Sequence, residues 1–267
     1  MKLVFDIGGT TTRMALTDGK SLQNIQRFDT NPGPKGIEVF LEQVDAYLEG
    51  QKITEAAGGM PGQLIRDSGR LIHTPNLLGW IGQRVERQIA QHLNVPVTIR
   101  NDAEAVGLGE AVYGAGQGHR IVVYITVSTG MNGARIVDGE IEASSRGFEL
   151  GSQLVIGSDG KPHQLEDLTS GAALEHKYGR PARDIHDAKI WHTEAQYLAN
   201  GLYNTILHWS PDIVVMGGSM MHDIDVSEIA TLLRRLPEVY ETWPPLVKSR
   251  LGDDGGLYGA MAILNKK

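Results

Sequence analysis

The sequence predicts an α/β protein of two similar lobes, and two observations support this prediction. Short apolar, β-branched segments alternate with apolar stripes at helical spacing, which is the pattern of strands alternating with helices. In addition, a strand, a Gly/Thr loop, a second strand and an Asp-Gly turn follow one another twice, with the copies about 120 residues apart. Such lobes would each present a Gly/Thr loop to a shared cleft. Two unrelated β-hairpins would give the same repeat, because Asp-Gly turns are common.

The first copy of this pattern opens the chain. Residues 3–5 are apolar and predict a buried strand, which runs through Asp6 into a tight glycine turn. The extended pattern resumes over residues 12–17, and an Asp-Gly turn at 18–19 follows. The later elements predicted in this half are a strand over 21–28, a helix over 38–49, a helix with an apolar stripe over 80–93, and a strand over 95–99.

The second copy begins near the middle of the chain. The β-branched run at 120–127 predicts a buried strand, which enters a Gly/Thr loop at 128–133. A strand over 134–137 and an Asp-Gly turn at 138–139 follow. The remaining predicted elements are a long amphipathic helix through 195–209, a short strand over 212–216 that runs into a glycine pair, and a closing helix of small residues over 257–264.

The composition excludes several classes of protein. The chain has 267 residues, 33 of them glycine and none cysteine, so it has no disulfide, thiolate nucleophile or thiolate-based metal site. With 25 basic and 32 acidic side chains the net charge is −7, which argues against a nucleic-acid partner. No apolar stretch approaches the roughly 20 residues that span a bilayer, and the chain opens without a signal-peptide pattern. We therefore expect a cytoplasmic protein with no membrane partner.

The glycines fall in discrete clusters between apolar segments, which is typical of loops that approach a ligand closely. Successive N–H groups in such turns attract oxyanions, and the loops at 8–12 and 129–133 fit a phosphate site. Asp6 could hold Mg²⁺ through water. The alternative is that the glycines only make tight turns. Neither GxxxxGK[ST] nor a strand-following GxGxxG is present, which argues against a P-loop or Rossmann protein.

Asp102 is the candidate catalytic residue. It follows the strand over 95–99 and opens a helical pattern, so it would lie near a helix N-terminus. A carboxylate in this position can accept the proton of an attacking hydroxyl, as in kinases. Spacing alone favours a different interpretation, because aspartate very often serves as the N-cap of a helix.

Taken together, these segments resemble the ROK family (repressors, open reading frames, sugar kinases) within the acetate and sugar kinase/actin-like superfamily. Residues 6–10, Asp-Ile-Gly-Gly-Thr, resemble its first phosphate motif, and residues 101–103, Asn-Asp-Ala, resemble its catalytic motif. The match follows the family's order over nearly the whole chain, which favours the catalytic interpretation of Asp102. The other matching segments are 59–62 and 74–80 (sugar contacts), 126–133 (second phosphate loop), 148–151 (sugar motif), 165–171 (the glutamate-containing segment after the family's zinc loop), and 211–219 and 251–259 (adenosine side).

The resemblance implies an α/β fold of two actin-like (ribonuclease H-like) lobes, with mixed β-sheets flanked by helices and an interlobe cleft. Residues 1–104 plus 255–267 would form the N-terminal lobe, with the first phosphate loop and the sugar-contacting loops. Residues 105–254 would form the C-terminal lobe, with the second phosphate loop and the adenosine side. The implied reaction is phosphorylation of a hexose-like sugar by ATP and Mg²⁺, of the glucokinase, fructokinase or N-acetylhexosamine kinase type. Related kinases are usually dimers, so a homodimer is expected.

The resemblance also implies roles for individual residues. Asp102 would be the general base that orients and deprotonates the acceptor hydroxyl. The implied sugar ligands are Gly62, Asn76, Asn101, Glu149, Ser152 and Glu166. The implied ligands of ATP and Mg²⁺ are Asp6 (through water to the metal), Gly8, Gly9, Thr10, Thr11, Thr129, Gly130, Gly217, Gly218 and Gly255.

One segment departs from the family pattern. Most members carry a zinc site made of a histidine after a GE(I/L)G motif and three cysteines in CxCGxxGC. Here Ser152 stands at the histidine position, the chain has no cysteine, and the stretch up to Glu166 is shorter. We therefore predict no structural zinc. Ser152 or Gln153 would line the sugar pocket in place of the histidine, which leaves the identity of the sugar open.

The alternative function is that of a non-catalytic regulatory protein of the same family, which binds sugar or nucleotide without turnover. The family's repressors carry a DNA-binding helix-turn-helix before the first phosphate motif, whereas Asp6 is only five residues from the start here. That position, the negative charge and the intact Asp102 favour the kinase. Loss of the zinc loop keeps the regulatory alternative open.

Overall fold

A computed structural model provides the fold and describes residues 1–65, 68–145 and 147–266. The predicted lobe ranges also contain Arg66, Asp67, Arg146 and Lys267, which lie outside these residues. The strands are β1 (Lys2–Ile7), β2 (Thr11–Thr17), β3 (Leu22–Asp29), β4 (Ala56–Met60), β5 (Gln63–Ile65), β6 (Arg70–His73), β7 (Val97–Asn101), β8 (Ile121–Val127), β9 (Met131–Val137), β10 (Glu140–Ile141), β11 (Leu154–Ile156), β12 (Pro162–Gln164), β13 (Ile213–Gly217) and β14 (Leu246–Lys248). The helices are α1 (Gly36–Leu48), α2 (Val85–Leu93), α3 (Asp102–Tyr113), α4 (Glu166–Thr169), α5 (Gly171–Tyr178), α6 (Ala188–Trp209), α7 (Val226–Leu233) and α8 (Gly255–Asn265).

The chain divides into two compact units. Unit 1 comprises Met1–Tyr113, Ser145–Gly147 and Asp253–Lys267, and unit 2 comprises Gly114–Ser144 and Phe148–Gly252. Helix α3 belongs wholly to unit 1, whereas the predicted N-terminal lobe ends at residue 104. The roles of the loops in each lobe, and the cleft between the two lobes, stay predictions.

The sheet of unit 1 has the strand order β3-β2-β1-β4-β7. Strands β1, β2 and β3 are antiparallel neighbours, whereas β4 runs parallel to β1 and β7 runs parallel to β4. Because parallel strands end at the same edge of a sheet, the carboxyl ends of β1, β4 and β7 lie side by side. Asp6, Gly59 and Arg100 are in register across these three strands.

Helices cover both faces of this sheet, and the side chains of β1 alternate between them. On one face Phe5 packs edge-on against Phe40 of α1, with the ring centres 5.4 Å apart. On the other face Val4 packs against Leu257 and Ala260 of α8. Burial of each large apolar side chain contributes roughly 1.5–3 kcal/mol, so this alternation fixes the register of the strand.

Helices α3 and α8 cross closely because both present small residues. A Cβ on Gly109 of α3 would lie 2.5 Å from the carbonyl oxygen of Gly255. A Cβ on Gly259 of α8 would overlap the carbonyl of Ala105. The small-residue composition of the predicted closing helix is therefore a packing requirement of unit 1.

The sheet of unit 2 repeats this topology strand for strand. Its order is β10-β9-β8-β13-β14. Strands β8, β9 and β10 are antiparallel neighbours, whereas β13 runs parallel to β8 and β14 runs parallel to β13. The first strand of each copy is thus the centre of its sheet. This repeat confirms the predicted pair of similar lobes and excludes the alternative of two unrelated hairpins.

The long helix α6 forms much of the core of unit 2. Leu198, Leu202 and Ile206 of α6 are buried in one cluster with Ile125 of β8 and Val214 of β13. This is the amphipathic stripe that the sequence predicts for residues 195–209.

Two predicted boundaries are wrong. The helix expected over 80–93 begins only at Val85, because Trp80 lies in a separate 3₁₀ turn and Gly82 adopts a φ of 88°. Trp80 is buried there, and its Nε1 donates a hydrogen bond of 2.9 Å to the carbonyl of Asn31. The second phosphate loop is also shorter than the predicted 128–133, because β9 pairs with β8 from Met131 onward.

Membrane insertion has no helical candidate in the described parts of the chain. None of their helices is both long and apolar enough to cross a bilayer.

Candidate active site

Two carboxylates, Asp6 and Asp102, lie at the carboxyl edge of the unit 1 sheet. Asp6 is the penultimate residue of β1, and Asp102 is the first residue of α3, directly after β7. Both flank Gly59 of β4: a Cβ on Gly59 would lie 3.4 Å from Asp6 Oδ1 and 3.5 Å from the Cα of Asp102. The parallel arrangement of β1, β4 and β7 therefore brings together two residues that are about a hundred positions apart in the chain.

Asn101 caps helix α3, which is the role that the sequence offers as the alternative for Asp102. Asn101 precedes α3, and its Oδ1 accepts a hydrogen bond of 3.0 Å from the N–H of Ala103, two residues on. That is the bond an N-cap side chain makes. Asp102 Oδ1 accepts from the same N–H at 2.9 Å. Since α3 already has a capping side chain at Asn101, the carboxylate of Asp102 is not required for that purpose.

Burial shifts the protonation of both carboxyl groups. Burial raises the pKa of Asp102, and the hydrogen bond from the N–H of Ala103 opposes this effect. Burial, followed by repulsion from Asp102, raises the pKa of Asp6 to about 7. The positive charge of Arg13 acts in the opposite direction on Asp6. A carboxylate whose pKa lies closer to neutral is a better proton acceptor at physiological pH than an exposed one.

Arg13 of β2 joins Asp6 to the segment before α8. Its Nη1 lies 3.8 Å from Asp6 Oδ2, and its Nη2 lies 3.1 Å from Asp253 Oδ2. Arg27 of β3 makes a second contact with the same Asp253 oxygen, at 3.4 Å. Two buried atoms in this neighbourhood, Arg13 Nε and Asp254 Oδ1, have no hydrogen-bond partner within the protein.

The N-terminus of α8 contacts the Asp6 carboxylate directly. A Cβ on Gly256 would lie 2.7 Å from each carboxylate oxygen of Asp6. The carboxylates near Asp6 outnumber the positive charge of Arg13. Asp102, Asp253 and Asp254 each raise the pKa of Asp6. Excess negative charge with an unpartnered carboxylate oxygen fits a divalent cation. Among the described residues no group of three or more His, Asp or Glu could hold a metal directly, so the fit is to Mg²⁺ held largely through water.

The predicted sugar-contacting residues of unit 1 lie around Asn101 and Gly9. Asn101 Nδ2 donates a hydrogen bond of 3.2 Å to the carbonyl of Gly62. Gly62 has a φ of 112°, a conformation that favours glycine, and a Cβ on it would lie 2.8 Å from the Cβ of Thr74. Asn76 follows in the same loop, and a Cβ on Gly9 would lie 2.8 Å from the Cβ of Asn76. The first phosphate turn and the sugar loop are thus in contact within unit 1.

The first phosphate turn is compact. The N–H of Gly8 donates a hydrogen bond of 3.0 Å to the carbonyl of Thr11. A Cβ on Gly8 would lie 2.7 Å from that carbonyl oxygen, so the turn requires glycine. Thr10 is exposed at the tip of the turn, and its carbonyl accepts from the N–H of Thr30. An exposed threonine beside two glycines can offer its hydroxyl and backbone N–H groups to a phosphate.

The second phosphate loop rests on the N-terminus of α5. The N–H of Gly171 donates to the carbonyl of Ser128 at 2.7 Å, and the N–H of Ala172 donates to the carbonyl of Thr129 at 3.2 Å. Within the loop, the N–H of Ser128 donates to the carbonyl of Gly130 at 2.8 Å. These bonds fix the backbone of Thr129 and Gly130 in unit 2 at the end of β8, the position that Gly8 and Gly9 occupy after β1.

Of the acidic sugar residues predicted in unit 2, Glu166 approaches this loop. A Cβ on Gly151 would lie 3.2 Å from Glu166 Oε2, and a Cβ on Gly130 would lie 3.7 Å from the same oxygen. Glu149 is exposed immediately before the 3₁₀ turn Leu150–Ser152, and the side chain of Ser152 is exposed in that turn. The Gln153 side chain bonds to Thr205 of α6, and the expectation that Ser152 or Gln153 lines the sugar pocket stays a prediction.

The glycines assigned to adenosine belong to different units. Gly217 and Gly218 follow β13 in unit 2, and Gly255 begins α8 in unit 1. Gly218 has a φ of 97°, and a Cβ on it would lie 2.8 Å from Thr126 Oγ1. A Cβ on Gly217 would lie 2.5 Å from the hydroxyl of Tyr124. These two glycines bring the end of β13 against the end of β8, and their role toward adenosine stays a prediction.

Sequence reasoning missed how three residues are placed around Asp6. Arg13 lies within a strand pattern, and Asp253 and Gly256 lie in a Gly/Asp run that spacing alone does not connect to Asp6. The one signal available for Arg13 is a charged side chain in an otherwise uncharged strand directly after a phosphate motif.

The chain resembles characterised proteins over its whole length. The ROK family profile matches residues 3–267. A glucokinase from Thermotoga maritima is 26% identical over 315 aligned positions, which cover 100% of this chain and 98% of the relative. A fructokinase from Zymomonas mobilis is 26% identical, with 96% of this chain and 93% of the relative covered.

Solved structures show the same fold. A ROK hexokinase from Thermus thermophilus has a TM-score of 0.80 and 27% identity, covering 97% of this chain and 96% of its own. A ROK family glucokinase from Streptomyces griseus, in complex with glucose and AMPPNP, has a TM-score of 0.81 and 22% identity, with 98% of both chains covered. The fold is therefore α/β with two mixed sheets in actin-like lobes, as the sequence predicts. The chain belongs to the ROK family.

Proposed function

We propose that this protein transfers a phosphoryl group from ATP to a hydroxyl of a hexose or hexose-like sugar. The observation that carries the proposal is the position of Asp102 at the start of α3, beside Asp6, where burial raises the pKa of its carboxyl group. Asn101 caps α3, so the carboxylate of Asp102 is not needed as the cap. Membership in the ROK family and the similarity to a glucokinase and a fructokinase support it.

Asp102 acts as the general base in this proposal. Its carboxylate accepts the hydrogen bond of the sugar hydroxyl, orients that oxygen and takes its proton. The sugar oxygen bonds to the γ-phosphorus of ATP as the bond from that phosphorus to the bridging oxygen breaks, and ADP leaves. Asn101 and the backbone of Gly62 are joined by a hydrogen bond in unit 1 and bind neighbouring hydroxyls, together with Asn76. Asn101 ends β7 and Gly62 follows β4, so the sheet edge sets the spacing of these two ligands around Asp102, whereas Asn76 follows β6.

Glu149 and Glu166 are the acceptors for further sugar hydroxyls. Carboxylates accept two hydrogen bonds from vicinal hydroxyls with good geometry, which is how a polar ring can be held without a positive charge. Ser152 lies beside them in the 3₁₀ turn and contributes a small hydroxyl. We therefore place the choice of sugar in the segment 149–166, because a single unpaired polar group there can alter specificity strongly.

The phosphate chain of ATP binds the two glycine loops. The turn at Gly8, Gly9, Thr10 and Thr11 and the loop at Thr129 and Gly130 offer N–H groups and hydroxyls to the phosphates. Mg²⁺, when bound, neutralises charge on the transferred group. Asp6 would hold its water ligands, and the positive charge of Arg13 favours the ionised form of Asp6. Gly217, Gly218 and Gly255 would adjoin the adenosine.

The proposal is tested by following ADP release with hexoses, amino sugars and N-acetylated sugars in turn. Asp102→Asn should lower kcat on the preferred sugar by about 10²–10⁴-fold, because the base is lost, and should leave sugar binding within about threefold of wild type. Glu38→Gln, which removes an exposed first-turn carboxylate of α1, is the matched control and should leave kcat unchanged. Wild-type protein that binds sugar or ATP but turns over none of these sugars would indicate the regulatory alternative. Equal turnover by wild type and Asp102→Asn would contradict the role of Asp102.

A further inference from the structure

The side chain of Gln153 connects three elements of unit 2. Its Nε2 donates to the carbonyl of Leu150 at 3.1 Å and to Thr205 Oγ1 of α6 at 3.3 Å. Its Oε1 accepts from Asn204 Nδ2 of α6 at 3.5 Å. Gln153 is half-buried, so these bonds replace water over much of the side chain.

The backbone of Gln153 makes a second set of bonds. Its N–H donates to the carbonyl of Leu150 at 3.3 Å, which closes the 3₁₀ turn after Glu149. Its carbonyl accepts from the N–H of Leu165 at 2.9 Å, at the residue directly before Glu166. One residue is therefore bonded next to both acidic side chains that the proposed function assigns to the sugar.

Helix α6 provides a rigid support for this arrangement. Leu165 is fully buried, and a Cβ on Gly201 of α6 would overlap its side chain, so Leu165 fits against the helix only because residue 201 is glycine. Thr205 is also buried, and its hydroxyl donates to the carbonyl of Gly201 at 3.0 Å. That hydroxyl is consequently oriented with its oxygen available to the amide of Gln153.

We propose that Gln153 is a positioning residue that holds Glu149 and Glu166 at a fixed separation by tying both of their segments to α6. This inference rests on the proposed function, because it concerns the site at which the sugar would bind. Without the amide, the turn at Leu150–Ser152 loses two bonds to its surroundings, and Glu149 can move relative to Glu166. Sugar affinity then falls, while ATP, which depends on other residues, binds as before.

Gln153→Leu tests this role, since leucine has a similar volume and can make none of the amide bonds. We expect its KM and Kd for the sugar to rise about tenfold or more, with the KM for ATP within about twofold of wild type. Thr205→Val should change the sugar constants in the same direction by a smaller factor, and Thr205→Ser, which keeps the hydroxyl, should restore them. Gln164→Leu is the control, because it removes an exposed glutamine at the end of β12.

Hydrogen exchange provides a readout that does not depend on the sugar. In Gln153→Leu the amides of Ser152 and Leu165 should exchange faster, and those of α5 should not change. If wild type binds no sugar, the proposed function fails, and the exchange rates still decide whether Gln153 ties the two segments together. Unchanged sugar affinity in an active Gln153→Leu, an equal rise of both KM values, or faster exchange in only one segment would overturn the inference. If Gln153→Leu does not fold, the Thr205 pair decides.

Discussion

The carboxylate of Asp6 connects the electrostatics of unit 1 to the metal that the proposed reaction needs. Its pKa of about 7 means that, without a cation, roughly half of the molecules carry a proton there at neutral pH. A proton and a hydrated Mg²⁺ compete for the same oxygens, since metal ligands must be deprotonated. The Mg²⁺ concentration for half-maximal activity should therefore be about tenfold higher at pH 6 than at pH 8.

Arg13 sets the pH range in which a proton and Mg²⁺ compete for Asp6. Its charge lowers the pKa of Asp6, so Arg13→Gln should raise that pKa and move the acid limb of the Mg²⁺-dependent rate to higher pH. Arg13→Lys keeps a positive charge and should move the limb less. Rates measured from pH 6 to 9 at limiting Mg²⁺ decide the point. An acid limb at the same pH in Arg13→Gln and wild type would show that Arg13 does not control Asp6.

Glu194 of α6 is another buried acid, and the proposed function gives it no role. It is fully buried, and neither carboxylate oxygen has a hydrogen-bond partner. Burial raises its pKa from 4.5 to about 8, although Lys177 opposes the shift. The folded protein therefore retains a proton that the unfolded chain releases above pH 4.5, and stability should fall as pH rises through the window from about 4.5 to 8.

Glu194→Gln removes this dependence because glutamine cannot ionise. The variant should gain on the order of 2–4 kcal/mol over wild type between pH 5 and pH 8. Urea unfolding at several pH values measures the difference, with Glu175→Gln in the exposed part of α5 as control. Parallel stability curves for wild type and Glu194→Gln would mean that Glu194 is not protonated in the folded state.

At the scale of elements, the crossing of α3 and α8 supports the site. Asp102 begins α3, and Gly256 at the start of α8 contacts the carboxylate of Asp6. Helix packing through glycine therefore determines how closely these two helix ends approach.

Gly259→Ala tests this crossing. Alanine in the interior of an exposed helix would stabilise by about 1 kcal/mol, but here the added Cβ overlaps the carbonyl of Ala105, so we expect destabilisation of roughly 2–4 kcal/mol. Gly50→Ala, with a φ of 80° and no atom within 4 Å of the added Cβ, isolates the backbone cost alone. Urea unfolding of both variants gives the comparison, and a stability gain in Gly259→Ala would contradict the packing.

An element can be predicted from this sequence where its own residues favour the structure that it adopts. Strand β8 is β-branched, and the Asp-Gly turns are explicit, so these elements follow from sequence. Strand β4 does not, because Ala56–Met60 contains two glycines and no β-branched residue. Its glycines are required by neighbours: a Cβ on Gly58 would overlap the ring of Phe5, and Gly59 makes room for Asp6 and Asp102. Such a strand is specified by tertiary packing, which a single sequence does not display.

The site shows the same division. The position of Asp102 at the start of a helix follows from the Asn-Asp-Ala pattern after a strand. Its proximity to Asp6, and the ion pairs of Arg13 with Asp6 and Asp253, depend on the strand order and could not be read from spacing. The roles of the predicted ligands, the absence of zinc and the homodimer stay predictions.

At the scale of the whole molecule, the repeated topology explains why the two glycine loops resemble each other. Each follows the central strand of its sheet, Gly8 and Gly9 after β1 and Thr129 and Gly130 after β8. The same hairpin returns the chain from each loop, so equivalent backbone N–H groups are presented twice. The neighbours of the two loops differ: the loop that carries Asn76 contacts Gly9 in unit 1, and Glu166 approaches Gly130 in unit 2.

Sugar or nucleotide binding should stabilise the folded chain by mass action, because only folding brings the proposed binding residues together. A sugar or a non-hydrolysable ATP analogue at 100 times its Kd adds about 2.7 kcal/mol, which corresponds to a rise in Tm of about 5 °C for a protein of this size. Scanning calorimetry of wild type and Asp102→Asn with each ligand measures it. Asp102→Asn should show the wild-type shift for the ATP analogue while failing to phosphorylate the sugar, since only the proton transfer is removed. Loss of the ATP-analogue shift in Asp102→Asn would mean that Asp102 contributes to folding or nucleotide binding, and its loss of activity could then not be attributed to catalysis.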